Sequence, residues 1–254
     1  MNKIGLYMLV RREVERTFRV ITQTLVTPWI SAVLYIFIFG SVVGKRIDLI
    51  AGVSYIDFVL PGILMMNVIA SAFGASSSSL YFKRFIRDIE EMLVAPLSHL
   101  EMILGFVISA VIRSVIIAVG IFFIALFFTN ETSIAHFGLF VFYTMAVSAI
   151  FALLGLLVGL WSNGFEQLNI LTTFVITPFT FLGGVFYSIE MLPEKLQLIA
   201  VWNPFFYFVD GIRYSMIGIS EANTAIGLTL IIGLVLGLTG LVTYLFKIGW
   251  RIRE

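Results

Sequence analysis

Long uncharged apolar runs alternate with short charged stretches along this chain, and the runs have the length of membrane crossings. A hydrocarbon core about 30 Å thick takes roughly 20 helical residues at 1.5 Å each. Six stretches meet that length, at about 25–43, 58–80, 102–128, 137–161, 168–187 and 225–246. None has the ten-residue alternation of a barrel strand, so helices are the structure that can cross lipid. The expected fold class is an all-α membrane protein with six transmembrane helices. An amphipathic interfacial helix over 1–24 precedes them, a helix joins spans two and three, and re-entrant helices join spans five and six.

The connecting stretches carry patterns of their own. Tyr7, Val10, Val14, Phe18, Ile21 and Leu25 recur at three- and four-residue spacing, with Arg11, Arg12, Glu15, Arg16 and Arg19 elsewhere around the helix. A surface anchor and a moving helix at a gate both fit that pattern. Between spans two and three, Phe82, Phe85, Ile89, Met92 and Leu93 have helical spacing among Lys83, Arg84, Arg87, Asp88, Glu90 and Glu91, and Pro96 ends the segment. It fits a surface helix, or a docking helix whose mixed charges set register while apolar residues fill a groove. Residues 188–224 are too broken to span, because Asp210 and Arg213 interrupt their best apolar piece. Two short helices are expected there, opening at Pro193 and at Asn203 with Pro204.

Composition excludes a soluble domain. The chain is 60% hydrophobic and 12% charged, against roughly a quarter charged in soluble proteins. A net charge of +1 with no basic tract longer than two residues gives no reason to expect nucleic-acid binding. Charge placement is more informative. Lys3, Arg11, Arg12, Arg16, Arg19, Lys83, Arg84, Arg87, Lys247, Arg251 and Arg253 share one side of the expected topology, whereas Lys45, Arg46, Lys195 and Arg213 lie on the other. Basic residues resist translocation, so both termini are expected in the cytoplasm of a multi-pass inner-membrane protein. Trp29, Trp161 and Trp250 then fall near the inner interface and Trp202 near the outer one. The first run is expected to stay as a signal anchor.

Several chemistries are absent. Without cysteine there are no disulfides or thiolate sites, and His99 and His136 fall at opposite faces, which disfavours a metal centre. No phosphate-binding G-x-x-x-x-G-K-[ST] loop occurs, so ATP chemistry requires another chain. Ser76 to Ser79 have no histidine partner at hand and fit hydrogen bonding to backbone or neighbouring helices. Arg113 is the one basic residue well inside a span and must find acceptors or a wet cavity, as a structural residue or along a substrate path. No span holds a midplane acid, which disfavours ion coupling. Gly40 with Gly44, Gly155 with Gly159 and Gly233 with Gly237 permit close helix packing. Pro178, followed by Gly183 and Gly184, marks span five as the kinked helix.

The stretches "EEMLVAPLSHLEMILG" and "TPFTFLGGVFYSIEMLPEKLQLIAVWNPFFYFVDGIRY" resemble the permease subunit of ABC type-2 exporters. The resemblance runs through essentially the whole chain, 1–254, as a single permease domain. It rests on the ordered series Pro178, Gly183, Gly184, Phe186, Leu192, Pro193, Asn203, Pro204, Tyr207, Asp210, Gly211 and Arg213. It implies docking through the helix that holds Arg87, Glu90, Glu91, Leu93 and Pro96, and an outer gate built from the span-five series. Many members place Gly-Thr ahead of the glutamate, where this chain has Asp88 and Ile89. The resemblance further implies a homodimer of non-enzymatic permease subunits in membrane lipid, with two copies of a separate ATP-binding subunit that carry the ATP and magnesium. Family substrates are drugs, lipids and polysaccharides. Two other classes stand beside this reading on the residues alone: a non-transporting assembly protein and an ion-coupled carrier.

Overall fold

In the computed structural model, residues 2–44, 49–129 and 134–252 are described, apart from the side chain at 41. Lys45, Arg46 and Arg253 of the charge arguments lie outside the described residues. Helix α1 (Lys3–Arg19) opens at Asn2, whose side chain accepts the Gly5 N–H. A π-turn (Thr22–Val26) leads into α2 (Thr27–Phe37), and a second π-segment covers Ile38–Val43. Helix α1 uses two faces. Leu9 and Glu13 are buried against the bundle, whereas Tyr7 and Phe18 of the expected apolar stripe stay exposed, as a lipid-facing stripe must.

Helix α3 (Tyr55–Phe85) is the hub, buried around most of its circumference and packed against its neighbours on all sides. The short α4 (Asp88–Val94) follows, and then α5 (His99–Ala125) and α6 (Phe137–Trp161). A capping box at Ser98 and Glu101 starts α5 by satisfying two orphan N–H groups. Helices α3 and α6 meet backbone to backbone. A Cβ on Gly155 would stand 2.6 Å from the Phe73 carbonyl, and one on Gly159 2.9 Å from that of Ser77. Ser76 Oγ donates to the Ala152 carbonyl at 2.7 Å across the same contact. The 155/159 glycine pair is thus a packing seam, while Gly233 and Gly237 face open space.

Helix α7 (Phe165–Leu171), a π-turn (Thr172–Ile176) and α8 (Thr177–Leu182) form one continuous helical run. It ends five residues before the expected limit of span five. The cause is local: the chain turns at Gly183 and Gly184, and Gly184 has φ +77°, which a side chain would strain. Helices α9 (Glu194–Trp202) and α10 (Pro204–Ile217) follow, and α11 (Thr224–Ile248) closes the fold. Among the described residues five helical stretches are long and apolar enough to cross a membrane: Thr22–Gly40, Tyr55–Phe85, His99–Ala125, Phe137–Trp161 and Thr224–Ile248. No β-strand occurs among them, so the fold class is all-α, built for a bilayer.

Candidate functional site

At one end of the bundle, α1, the end of α3 and α4 are joined by buried charge. Lys83 Nζ lies 3.0 Å from Glu13 Oε1 and 3.2 Å from Asp88 Oδ2. Glu13 also accepts the Ser79 hydroxyl at 2.6 Å, and Arg12 pairs with Asp88. Glu13 and Lys83 are each only 5% exposed, and charges at that depth persist only when paired and hydrogen-bonded. Burial works to raise the Asp88 carboxyl, but Lys83 and Arg12 outweigh it and hold the group below the usual aspartate range. Nearby, Arg84 Nη1 donates to the carbonyls of Gly159 and Leu160 at 2.8 and 2.7 Å, closing the end of α6.

The expected single helix over 82–96 is two helices. Helix α3 runs on to Phe85, and the chain then breaks at Arg87, which adopts φ +60°. Ile89 and Met92 turn inward, whereas Arg87, Glu90, Glu91, Val94 and Pro96 are exposed and Leu93 is half-buried. Between this segment and α1 runs a groove of about 600 Å³ whose lining includes Met8, Leu9, Arg12, Glu91, Met92 and Pro96. The resemblance nominated Arg87, Glu90, Glu91, Leu93 and Pro96, whereas helical spacing singled out apolar residues of which Ile89 and Met92 fill the chain's own bundle rather than a partner's groove. Spacing was a local guide only. It gave no sign of the Glu13–Lys83 pair, whose partners are far apart in sequence.

The opposite end is covered by α9 and α10. Asn203 caps α10 by accepting the Phe205 N–H and donates to the Phe179 carbonyl at 2.7 Å, which ties α10 back to α8. Asp210 gathers the following turn: it accepts the Ser220 hydroxyl at 2.7 Å and the N–H groups of Glu221 and Ala222. Burial pushes its carboxyl above the ordinary value, against the pull of those donors and of Arg213. Arg213 is completely buried. It donates to the carbonyls of Phe58 and Gly184 at 3.2 and 2.6 Å, and its guanidinium lies 3.9 Å from the Phe58 ring centre. Asp210 and Arg213 thus bond to different neighbours rather than to each other. Gly211 faces the Tyr143 ring so closely that no Cβ fits between them. Phe186 stacks on Phe39 at 4.3 Å between ring centres and also meets Tyr35 and Phe181. Tyr207 packs with Phe206, and Pro193 opens α9.

Two further expected residues fall elsewhere. Arg113 lies on α5, half-buried, within electrostatic reach of Arg16, and its Nε is buried without a hydrogen-bond partner. No carboxylate among the described residues pairs with it. Trp29, expected at the membrane interface, instead lays its indole against Gly120 and donates to the Ile117 carbonyl at 3.3 Å. The slot left by that glycine draws the ring onto the last third of α5. No cluster of metal-ligating side chains occurs among the described residues.

Comparison with known proteins places this geometry in a family. The sequence pattern described as ABC-2 type transporter matches residues 5–217. The chain is 39% identical to the inner membrane transport permease YadH of Escherichia coli (strain K12) over 219 residues, covering 86% of this chain and 85% of that one. It is also 27% identical over 201 residues to nodulation protein J of Rhizobium leguminosarum bv. viciae, covering 76% and 75%. Nodulation protein J of Neorhizobium galegae is 29% identical over 189 residues, covering 73% and 71%. The match takes in α1, the charged clasp and the α9–α10 cover alike, and the chain belongs to the ABC-2 type transporter family.

Proposed function

We propose that this chain is the permease subunit of an ATP-driven exporter in the inner membrane, with the α1/α4 end in the cytoplasm. Two copies form the membrane part, the helical run over 165–182 serves as the sixth crossing, and a separate subunit binds and hydrolyses ATP. The substrate moves outward and belongs to the drug, lipid or polysaccharide types. The permease YadH and the asymmetry of the basic residues support the location and orientation.

The observation that carries this reading is the exposed face of α4. Arg87, Glu90, Glu91 and Val94 are free of the bundle, while the same helix is tied through Asp88 to Lys83 and Arg12. Force applied to that face therefore passes directly into α1 and α3. To test it, the chain is purified from native membranes and an associated ATP-binding subunit is sought. Glu91→Lys and Leu93→Asp are then expected to weaken that association and to lower ATPase activity in proteoliposomes. Unchanged association and activity in both variants would reject docking at α4, and ion-gradient-driven flux without such a subunit would make the chain a carrier.

A further inference from the structure

The sequence contains one motif twice. Thr22-Gln-Thr-Leu-Val-Thr27-Pro28 and Thr172-Thr-Phe-Val-Ile-Thr177-Pro178 share threonines five residues apart, the second followed by proline. The structure repeats with it. Both motifs open with a π-turn, Thr22–Val26 and Thr172–Ile176, and both continue into α-helix at the threonine before proline. In each, the second threonine bonds the carbonyl of the first twice. Thr27 Oγ1 donates to the Thr22 carbonyl at 3.0 Å and Thr177 Oγ1 to that of Thr172 at 2.9 Å, and both backbone N–H groups do the same.

The π-segment Ile38–Val43 has no proline and Pro61 sits inside the regular helix α3. Proline alone therefore does not dictate such a turn, but at both motifs it favours one. It has no N–H for the carbonyl one turn back, so a regular α-helix would leave that acceptor without a donor in an apolar setting. Wrapping one extra residue into a π-turn moves the strain onto a short segment, and the threonine hydroxyl adds a bond there. A π-turn in front of proline is a place where a helix bends at low cost.

Beyond each π-turn the helix reaches the same aromatic group. Phe186 stacks on Phe39 and meets Tyr35 from the α2 side, and it meets Phe181 from α8 at 5.3 Å. We infer that the segments Thr27–Phe39 and Thr177–Phe186 form one moving body, hinged at the two Thr-Pro π-turns and clamped by Phe186, which swings to open the end covered by α9 and α10. Phe186 acts as a positioning residue that makes the two segments move together. This inference rests on the transport reading above, but the clamp itself is testable without ATP.

The chain lacks cysteine, so spin labels can be placed freely. Leu34 and Leu182 are 54% and 44% exposed on the two segments, and Met145 on α6 is 48% exposed as a fixed reference. With labels at Leu34→Cys and Leu182→Cys in chains diluted by unlabelled protein, a narrow distance distribution is expected that broadens in Phe186→Ala. An unchanged width in Phe186→Ala overturns the clamp, whatever partner the chain has. In the complex with its ATP-binding subunit, trapping with ATP, magnesium and vanadate is expected to shift the 34–145 and 182–145 distances together. Phe186→Ala should uncouple the two shifts. Pro28→Ala with Pro178→Ala restores both N–H groups and should shrink the shifts by a factor of about two or more. Full-sized shifts in that double variant, or no shift in a wild-type complex that hydrolyses ATP, overturn the hinges. Failure to find any ATP-binding subunit counts against the transport reading, and the clamp measurement then stands by itself.

Discussion

Glu13 of α1 and Lys83 of α3 form an ion pair of 3.0 Å in which both side chains are only 5% exposed. Lone buried charges are costly, so removal of either partner should destabilise the fold by about 3–5 kcal/mol. Lys83→Met and Glu13→Gln are each expected to lower the unfolding midpoint in detergent. The double variant Glu13→Gln with Lys83→Met should lose much less than the sum of the two single variants. Additive losses in this double-mutant cycle would show that the two residues act independently.

Asp88 gives the same end of the molecule an acid limit. Lys83 and Arg12 depress its folded-state carboxyl, so its contribution is present above the ordinary aspartate range and is lost as pH falls through the depressed value. A spin label at Val94→Cys, a position 88% exposed, should become more mobile across that acid window. Asp88→Asn should show high mobility at neutral pH. A pH-independent signal in the native background would contradict the assignment.

Arg113 should behave in the opposite sense to Lys83. With no carboxylate partner among the described residues and its Nε unsatisfied, Arg113→Met removes a cost of at least about 2.5 kcal/mol on insertion scales. Thermal unfolding of Arg113→Met is therefore expected at or above the wild-type midpoint. Flux through the reconstituted complex should fall if the guanidinium meets substrate. A variant that unfolds several degrees earlier would reveal a structural partner instead.

Gly211 admits no side chain against Tyr143. Gly211→Ala is expected to cost about 1–3 kcal/mol through overpacking, and Gly211→Ala with Tyr143→Leu should recover part of it. Denaturant titration of the three proteins measures both effects, and a silent Gly211→Ala would mean that α10 can shift away from α6.

Arg213 holds two carbonyls and stacks on Phe58 through a planar fork that an ammonium cannot reproduce. Arg213→Lys keeps the charge but loses one donor direction and the stacking, so it is expected to destabilise by about 2 kcal/mol or more. Cysteine accessibility at Ser188 should rise in the same variant, because Gly184 loses its anchor.

Much of this was legible in the residues. Helical spacing singled out Ile89 and Met92, which turn inward from α4, and Pro178 with Gly183 marked the irregular helix, although its end was expected at 187 rather than at Leu182. Apolar length alone placed the five long helices to within a few residues. Other features lay beyond a local reading. Lys83 looked like part of a solvated polar face, since the acid that buries it comes from a helix some 70 residues earlier. Trp29 followed its neighbour Gly120 rather than the interfacial preference of indoles, a choice that only tertiary packing reveals. The repeated Thr-x4-Thr-Pro motif is different: its signal is plainly present in the sequence, but threonine and proline spacing is invisible to a search for apolar periodicity.

The glycine seam between α3 and α6 has a mechanical consequence. With Phe73 and Ser77 carbonyls set against Gly155 and Gly159 at less than the room of one methyl group, a slide of either helix by one turn would drive a side chain into backbone. The two helices can translate only as a single strut. Displacement along the membrane normal must then be borne by whatever is pinned to that strut through flexible joints, which makes the seam the fulcrum of the molecule rather than one of its levers.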